Sequence, residues 1–157
     1  MEIKTATTED LCLILALQKL AYRSEAAIYG DYTIPPLIQT QEEIEADFRD
    51  QVYFKALLNG TLIGSVRGYL KDGTCYIGRL IVHPDHQNQG IGSQLIAAIE
   101  THFNQAQRFE LFTGEKSERN LYLYRKLGYK VYKPHQLSNL VTLLFLEKQN
   151  HQTPLSP

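Results

Sequence analysis

The sequence predicts an α/β fold: a single domain with one mixed, mostly antiparallel sheet of six to seven strands, flanked by about four helices. Three observations predict it. Two runs of strand-forming residues, 52–58 and 62–69, are split by Asn59-Gly60, the strongest short hairpin signal. A second turn, Lys71-Asp72-Gly73, feeds a third run from Cys75 to Val82, so three antiparallel strands follow one another. A helical pattern then separates that run from a further strand at Phe109–Thr113, and a helix between strands implies a parallel crossover. The 157 residues, 43% hydrophobic and 21% charged, suit one ordinary globular domain.

The elements follow in order. Met1 to Thr5 alternates as a first strand. Thr7 or Thr8, followed by Glu9 and Asp10, starts a helix, because acidic residues suit its positive end. Leu11, Leu13, Ile14, Leu17, Leu20 and Ala21 carry that helix to about Tyr22. Tyr29 to Pro36 breaks regular structure, since paired prolines cannot be helix interior. Gln41 to Asp50 is a shorter acidic helix with Ile44 and Phe48 inward. Ile91, Leu95, Ile96, Ile99 and Phe103 form one helical stripe. Ser117 caps a helix to Leu127, closed by Gly128 in a left-handed position. Val131-Tyr132 and Leu140–Leu146 supply the last strands, and 149–157, polar with two prolines, reads as a flexible tail after a 1–148 domain.

Net charge is −1, which gives no reason to expect nucleic acid or an anionic membrane as partner. Cys12 and Cys75 read as buried free thiols, without a disulfide framework. No charged-then-apolar leader and no membrane-length apolar run occurs, so the expected location is cytoplasmic. Five histidines are scattered without paired ligand spacing, so no metal is expected.

The chemistry concentrates at 83–93. Gly90 and Gly92 sit where a helix begins, its first amides unpartnered and its dipole positive, so a phosphate is the natural occupant. A glycine pair that only turns the chain would look the same from spacing alone. The dinucleotide fingerprint fails because Leu95 replaces its third glycine and 83–89 intervenes after the strand; no Walker loop exists.

VHPDHQNQGIG resembles the acetyl-CoA loop of the GCN5-related N-acetyltransferases (GNAT): Gln87-Asn88-Gln89-Gly90-Ile91-Gly92 after Ile81-Val82-His83-Pro84. Leu123-Tyr124-Arg125-Lys126-Leu127-Gly128-Tyr129 matches that family's second hallmark. The resemblance implies a splayed parallel strand pair, formed by Arg79–Val82 and Phe109–Thr113. It implies that the backbones of Leu80, Ile81 and Val82 pair with the pantetheine arm. Amides from Gln87 through Gln89, Gly90, Ile91 and Gly92, with Ser93, would hold the coenzyme A pyrophosphate. Val82 N–H becomes an oxyanion donor, and Tyr124 the acid that protonates the departing thiolate. Tyr124 also fits as a residue that packs on Tyr129. Ser117 stands where many relatives have an asparagine, which leaves its contact with coenzyme A open. Asn120 is expected to face solvent, and Tyr122 to be an outer-face or pocket aromatic.

The implied activity is direct acetyl transfer from acetyl-CoA to a primary amine of a small molecule or peptide. A catalytically silent acyl-CoA-binding or sensing module is the alternative. Tyr22, Tyr29 and Asp31 are the candidate acceptor-binding residues, because aromatics with carboxylates suit a cationic amine. No general base is assigned: the family's glutamate position is Phe112 here, and Glu25, Asp31, Glu110 and Glu115 are the carboxylates nearby in the pattern. Relatives are often dimers, which admits a homodimer.

Overall fold

Two left-handed turns organise the first half of the sheet. Asn59 and Gly60 have φ of 51° and 79°, and Asp72 and Gly73 have 51° and 82°. Consecutive positive values of this kind turn a strand back in two residues. They join β2 (Val52–Leu58), β3 (Thr61–Lys71) and β4 (Thr74–Val82), all antiparallel, and β1 (Glu2–Thr5) pairs on the outer side of β2. The computed structural model describes residues 1–151.

The helices are α1 (Leu11–Ala21), α2 (Arg23–Tyr29), α3 (Pro35–Ile38), α4 (Gln41–Asp50), α5 (Ile91–His102) and α6 (Glu118–Lys126). With β5 (Arg108–Gly114), β6 (Lys130–Gln136) and β7 (Thr142–Gln149), the sheet order is β1-β2-β3-β4-β5-β7-β6. Leu95, Ile96 and Ile99 of α5 pack with Val66, Cys75, Ile77 and Phe109 in the main core. A second core gathers Leu11, Ile14 and Leu15 of α1 with Ile44 of α4 and Tyr53. A third joins Ala26, Tyr29 and Ile34 to Val141 before β7.

The feature that makes room for a site is the break between β4 and β5. They are registered only at Thr74↔Arg108, Cys75↔Phe109 and Tyr76↔Glu110. Beyond that, β5 stays paired with β7 as far as Gly114↔Leu143, while β4 stays with β3. In β4, register passes from Gly78, opposite Arg67, to Ile81, opposite Ser65, so an extra residue bulges at Arg79-Leu80. Arg79 has φ 51°, a left-handed backbone that a long side chain adopts only when its surroundings impose it. The parallel pair therefore splays, as the family resemblance implies.

Several elements differ from the sequence reading. Residues 23–29 form a helix, α2, which ends on Gly30 at φ 62°. The paired prolines start α3, occupying a first turn whose amides need no partner. Leu13 is 62% exposed and Cys12 is exposed, because Leu11, Ile14, Leu15 and Gln18 define the inward face of α1. Gln149 belongs to β7 and Asn150 N–H donates to Gln107 C=O at 3.0 Å, so the ordered chain extends past 148. Most of the expected tail, 152–157, lies outside the described residues.

Candidate active site

α5 begins without a cap. Its N-cap is Gly90 at φ 80°, which offers no side chain, and the first intrahelical bond is Gln94 N–H to Gly90 C=O at 3.1 Å. The amides of Ile91, Gly92 and Ser93 are left without acceptors among the described residues, at the positive end of a three-turn helix. An added Cβ at Gly90 would meet nothing within 4 Å, so its φ is the reason for glycine. At Gly92 a Cβ would lie 3.2 Å from Leu123 Cδ2, so this glycine serves the packing of α5 on α6.

These amides open on a groove of about 580 Å³ between β4, the 83–90 loop and α6. Leu80, Ile81, Val82, Gln87, Asn88, Gly90, Ile91, Gly92, Ser93 and Ser117 all line it. Gln89 is exposed and outside that lining. Lys116, Arg119 and Lys126 place cations along the α6 side. His83 N–H donates to Ile63 C=O at 2.8 Å, and strand alternation then turns the Val82 N–H the other way, into the gap left by β5.

A second cavity, about 540 Å³, is lined by Tyr76–Leu80 of β4 and Glu110–Gly114 of β5. Tyr69 and Tyr76, stacked at 5.2 Å, wall one side, and Phe112 and Phe145, also at 5.2 Å, wall another. Tyr22, Glu25, Leu80 and Asn120 border both spaces and mark their junction. Tyr124 lines the second cavity, is 5% exposed, and its hydroxyl has no hydrogen-bond partner among the described residues. Burial, with Tyr22 and Glu25 close by, raises its pKa, so it stays a phenol. It also packs on Tyr129, ring centroids 6.2 Å apart. Tyr129 N–H returns to Tyr124 C=O at 2.9 Å and Gly128 N–H to Arg125 C=O at 3.0 Å, with Gly128 at φ 98°: a Schellman closure.

Tyr29 and Ser117 belong to a buried chain of hydrogen bonds that ends at the junction. Lys116 N–H donates to the Tyr29 hydroxyl at 2.8 Å, and that hydroxyl lies 3.1 Å from Ser117 Oγ. Ser117 Oγ donates to Glu25 Oε2. Asn120 Nδ2 donates to Glu25 Oε1 at 3.5 Å and to Thr113 Oγ1 at 3.2 Å, so Asn120 supports the junction and does not face solvent as expected. Ser117 occupies the N-cap position of α6, yet its hydroxyl goes to the Glu25 carboxylate, a stronger acceptor, and caps no helix amide. A Cβ on Gly114 would fall 1.9 Å from the Tyr29 hydroxyl, so only glycine there admits this chain.

Asp31 is not brought to the site: it lines neither cavity, and Thr33 N–H and Oγ1 donate to its carboxylate at 2.9 and 2.6 Å. Those two bonds hold its pKa low in a local turn. Glu110 borders the second cavity but is held by Arg108 at 3.0 Å and by the Tyr132 hydroxyl at 2.6 Å. Glu115 is exposed and Tyr122 is 72% exposed at the groove. Arg79 was missed. Its signal was a lone cation inside the apolar run CYIGRLIV. Among the described residues, no group of three or more His, Cys, Asp or Glu is placed to hold a metal, and no helix is long and apolar enough to cross a membrane.

The family model described as the Acetyltransferase (GNAT) family matches residues 15–129. The protein YqkA of Bacillus subtilis (strain 168) is 32% identical over 117 residues, 74% of this chain, which spans about a third (34%) of that relative's length. The PaiA N-acetyltransferase of Thermoplasma acidophilum, solved with coenzyme A, superposes at a TM-score of 0.71 with 20% identity, covering 94% of this chain and 98% of that one. YncA of Salmonella typhimurium, solved with acetyl-CoA, gives a TM-score of 0.76 with 17% identity, covering 100% and 97%. The bulged and splayed β4, the uncapped α5 and the match across most of the chain lead to one assignment: this protein belongs to the GNAT family of acetyltransferases.

Proposed function

We propose that this acetyltransferase binds acetyl-CoA in the β4–α5–α6 groove and passes the acetyl group directly to a primary amine held in the second cavity. The observation that carries this reading is the meeting of the two spaces at Tyr22, Glu25, Leu80 and Asn120. The residues present fit the donor: the free amides of Ile91, Gly92 and Ser93 with those of Gln87 and Asn88 suit a diphosphate, and Lys116, Arg119 and Lys126 suit its remaining charge. Acetyl-CoA supplies an activated acyl group as a thioester. The unpaired edges of Leu80, Ile81 and Val82 pair with the amides of its arm as an added strand would.

Val82 N–H binds the oxygen that gains charge when the amine attacks, a contribution of about 3–4 kcal/mol. Glu25 accepts the proton the attacking nitrogen must shed, since an ammonium has no lone pair; its carboxylate is oriented by Ser117 and Asn120. Tyr124 gives its phenolic proton to the departing thiolate, and its unpartnered hydroxyl is free for that task. One C–N bond forms and one C–S bond breaks; the ammonium sheds one proton through Glu25 to solvent before attack and a second as the amide forms, which replaces the proton that Tyr124 gives to sulfur.

The test is coenzyme A release from acetyl-CoA with a panel of amines, beside calorimetry with acetyl-CoA alone. Turnover that falls about 100-fold in Glu25→Gln, with coenzyme affinity unchanged, supports the roles assigned. Binding without turnover of any amine leaves the silent acyl-CoA-binding module instead, and no binding removes both.

A further inference from the structure

Arg79 is a charge with no hydrogen-bond partner among the described residues. No hydrogen bond or ion pair of the described residues ends on its guanidinium, and its Nη1 is buried with nothing to bond. Its neighbour on β3, Arg67, is satisfied: Nη1 donates to Asp47 Oδ2 at 2.6 Å and to the Tyr53 hydroxyl at 3.1 Å. Gln39 adds a second bond to the same Asp47 oxygen at 2.7 Å. That carboxylate is hydrogen-bonded to Arg67 and Gln39 and acts on Arg79 only through space. Both arginines border the second cavity. Arg79 is half-buried, but burying a cationic nitrogen without a bond is costly, and a ligand's counter-charge would offset that cost.

Its position is imposed by the backbone. The β4 bulge inserts Arg79-Leu80 opposite a single residue of β3 and holds Arg79 at φ 51°. Bulges of this kind re-aim a side chain beside active sites. Burial, with Arg67 near, pulls the Arg79 pKa down, and the through-space pull of Asp47 does not offset it.

The cavity's acids complete the pattern. Glu110 is committed to Arg108 and Tyr132, on the β5–β6 side. Glu25 stands at the junction with the coenzyme groove. Tyr22 interacts electrostatically with both Glu25 and Arg79, and all three line the same cavity. The aromatic pairs Tyr69/Tyr76 and Phe112/Phe145 wall the space around them.

We propose that Arg79 is the carboxylate-binding residue of the acceptor site, and that the acceptor is an amino carboxylic acid with an apolar or aromatic body. Its amine lies toward Glu25 and the coenzyme, its carboxylate on the guanidinium, and its side chain between the aromatic walls. This rests on the transferase reading and narrows it. A peptide or protein N-terminus has an amide where an amino acid has its carboxylate and is a poor match.

The experiment compares matched acceptors, phenylalanine, phenylalanine amide and phenethylamine, with wild type, Arg79→Met and Arg79→Lys. Coenzyme A release is measured, together with thermal shift by each compound without acetyl-CoA. Wild type is expected to favour phenylalanine by about 10- to 100-fold in kcat/KM, the worth of one charge-assisted pair. Arg79→Met abolishes that preference, its loss on phenylalanine exceeding its loss on phenethylamine at least about 10-fold, and Arg79→Lys restores part of it. Turnover of amines with no preference for the carboxylate, or an equal loss on all three compounds in Arg79→Met, overturns the proposal and leaves the transferase standing. Stabilisation by phenylalanine in wild type but not Arg79→Met, without any turnover, supports the anion site and removes the transferase. Should Arg79→Met fold poorly, Arg79→Lys and the wild-type series decide alone.

Discussion

Tyr124 and Tyr29 carry the same phenol in opposite circumstances, and their phenylalanine variants should fail in opposite ways. The Tyr124 hydroxyl has no protein partner among the described residues, so Tyr124→Phe strands no donor or acceptor. Its ring still packs on Tyr129, and stability should change by less than about 0.5 kcal/mol. If Tyr124 protonates the leaving sulfur, kcat falls by about 10²- to 10⁴-fold. The Tyr29 hydroxyl instead accepts from Lys116 N–H at 2.8 Å and bonds Ser117 at 3.1 Å in a buried setting. Tyr29→Phe leaves that amide unpaired, at a cost of about 1–3 kcal/mol, and loosens Ser117 from Glu25. The assay is urea unfolding of both variants beside coenzyme A release with the best acceptor. Wild-type turnover in Tyr124→Phe removes the phenol from the chemistry. A stability loss in Tyr124→Phe equal to that of Tyr29→Phe refutes the reasoning about partners.

Three further outcomes are expected. Gly90→Asp should weaken coenzyme A binding at least about 10-fold while the protein stays folded, because a Cβ at Gly90 meets nothing and Asp tolerates left-handed φ; Gly90→Asn, with the same shape and no charge, should retain most of the affinity by calorimetry. Iodoacetamide at pH 8 should modify Cys12 and spare Cys75 in the native protein, since Cys12 is exposed while burial, with Glu100 near, pushes the Cys75 thiol up to about 12; mass spectrometry reads the sites. Stability should fall as pH rises above 10.0: burial raises the folded pKa of Tyr22, Tyr53, Tyr124 and Tyr129, so these phenols hold protons that the unfolded chain releases. Tyrosinate absorbance should therefore rise in two phases, the second coincident with unfolding by circular dichroism.

Local signals account for what could be read in advance. Asn59-Gly60, Asp72-Gly73, Gly90 and Gly128 each adopt the positive φ that their chain position requires, because a glycine in such a place is a backbone instruction. The three hairpin strands, the α5 stripe and the glycine start of α5 follow from these and from apolar periodicity. Helix α2 escaped because Arg23–Tyr29 has no stripe of its own; its helix is held by Ala26 and Tyr29 docking on Val141, far away in sequence.

What the sequence determined by itself is the family, the sheet and the loop at Gly90, all of which depend on residues within a few positions of one another. Only the tertiary structure decided which charges matter. Glu25 reaches the junction because Ser117 and Asn120, more than ninety residues away, hold it there. Asp31 turns inward on Thr33 and drops out. Arg79 Nη1 is left without a hydrogen bond while Asp47 is bonded to Arg67. Whether a charged side chain is solvated, paired or left waiting for a ligand depends on neighbours brought together by folding, and no spacing in the chain encodes it.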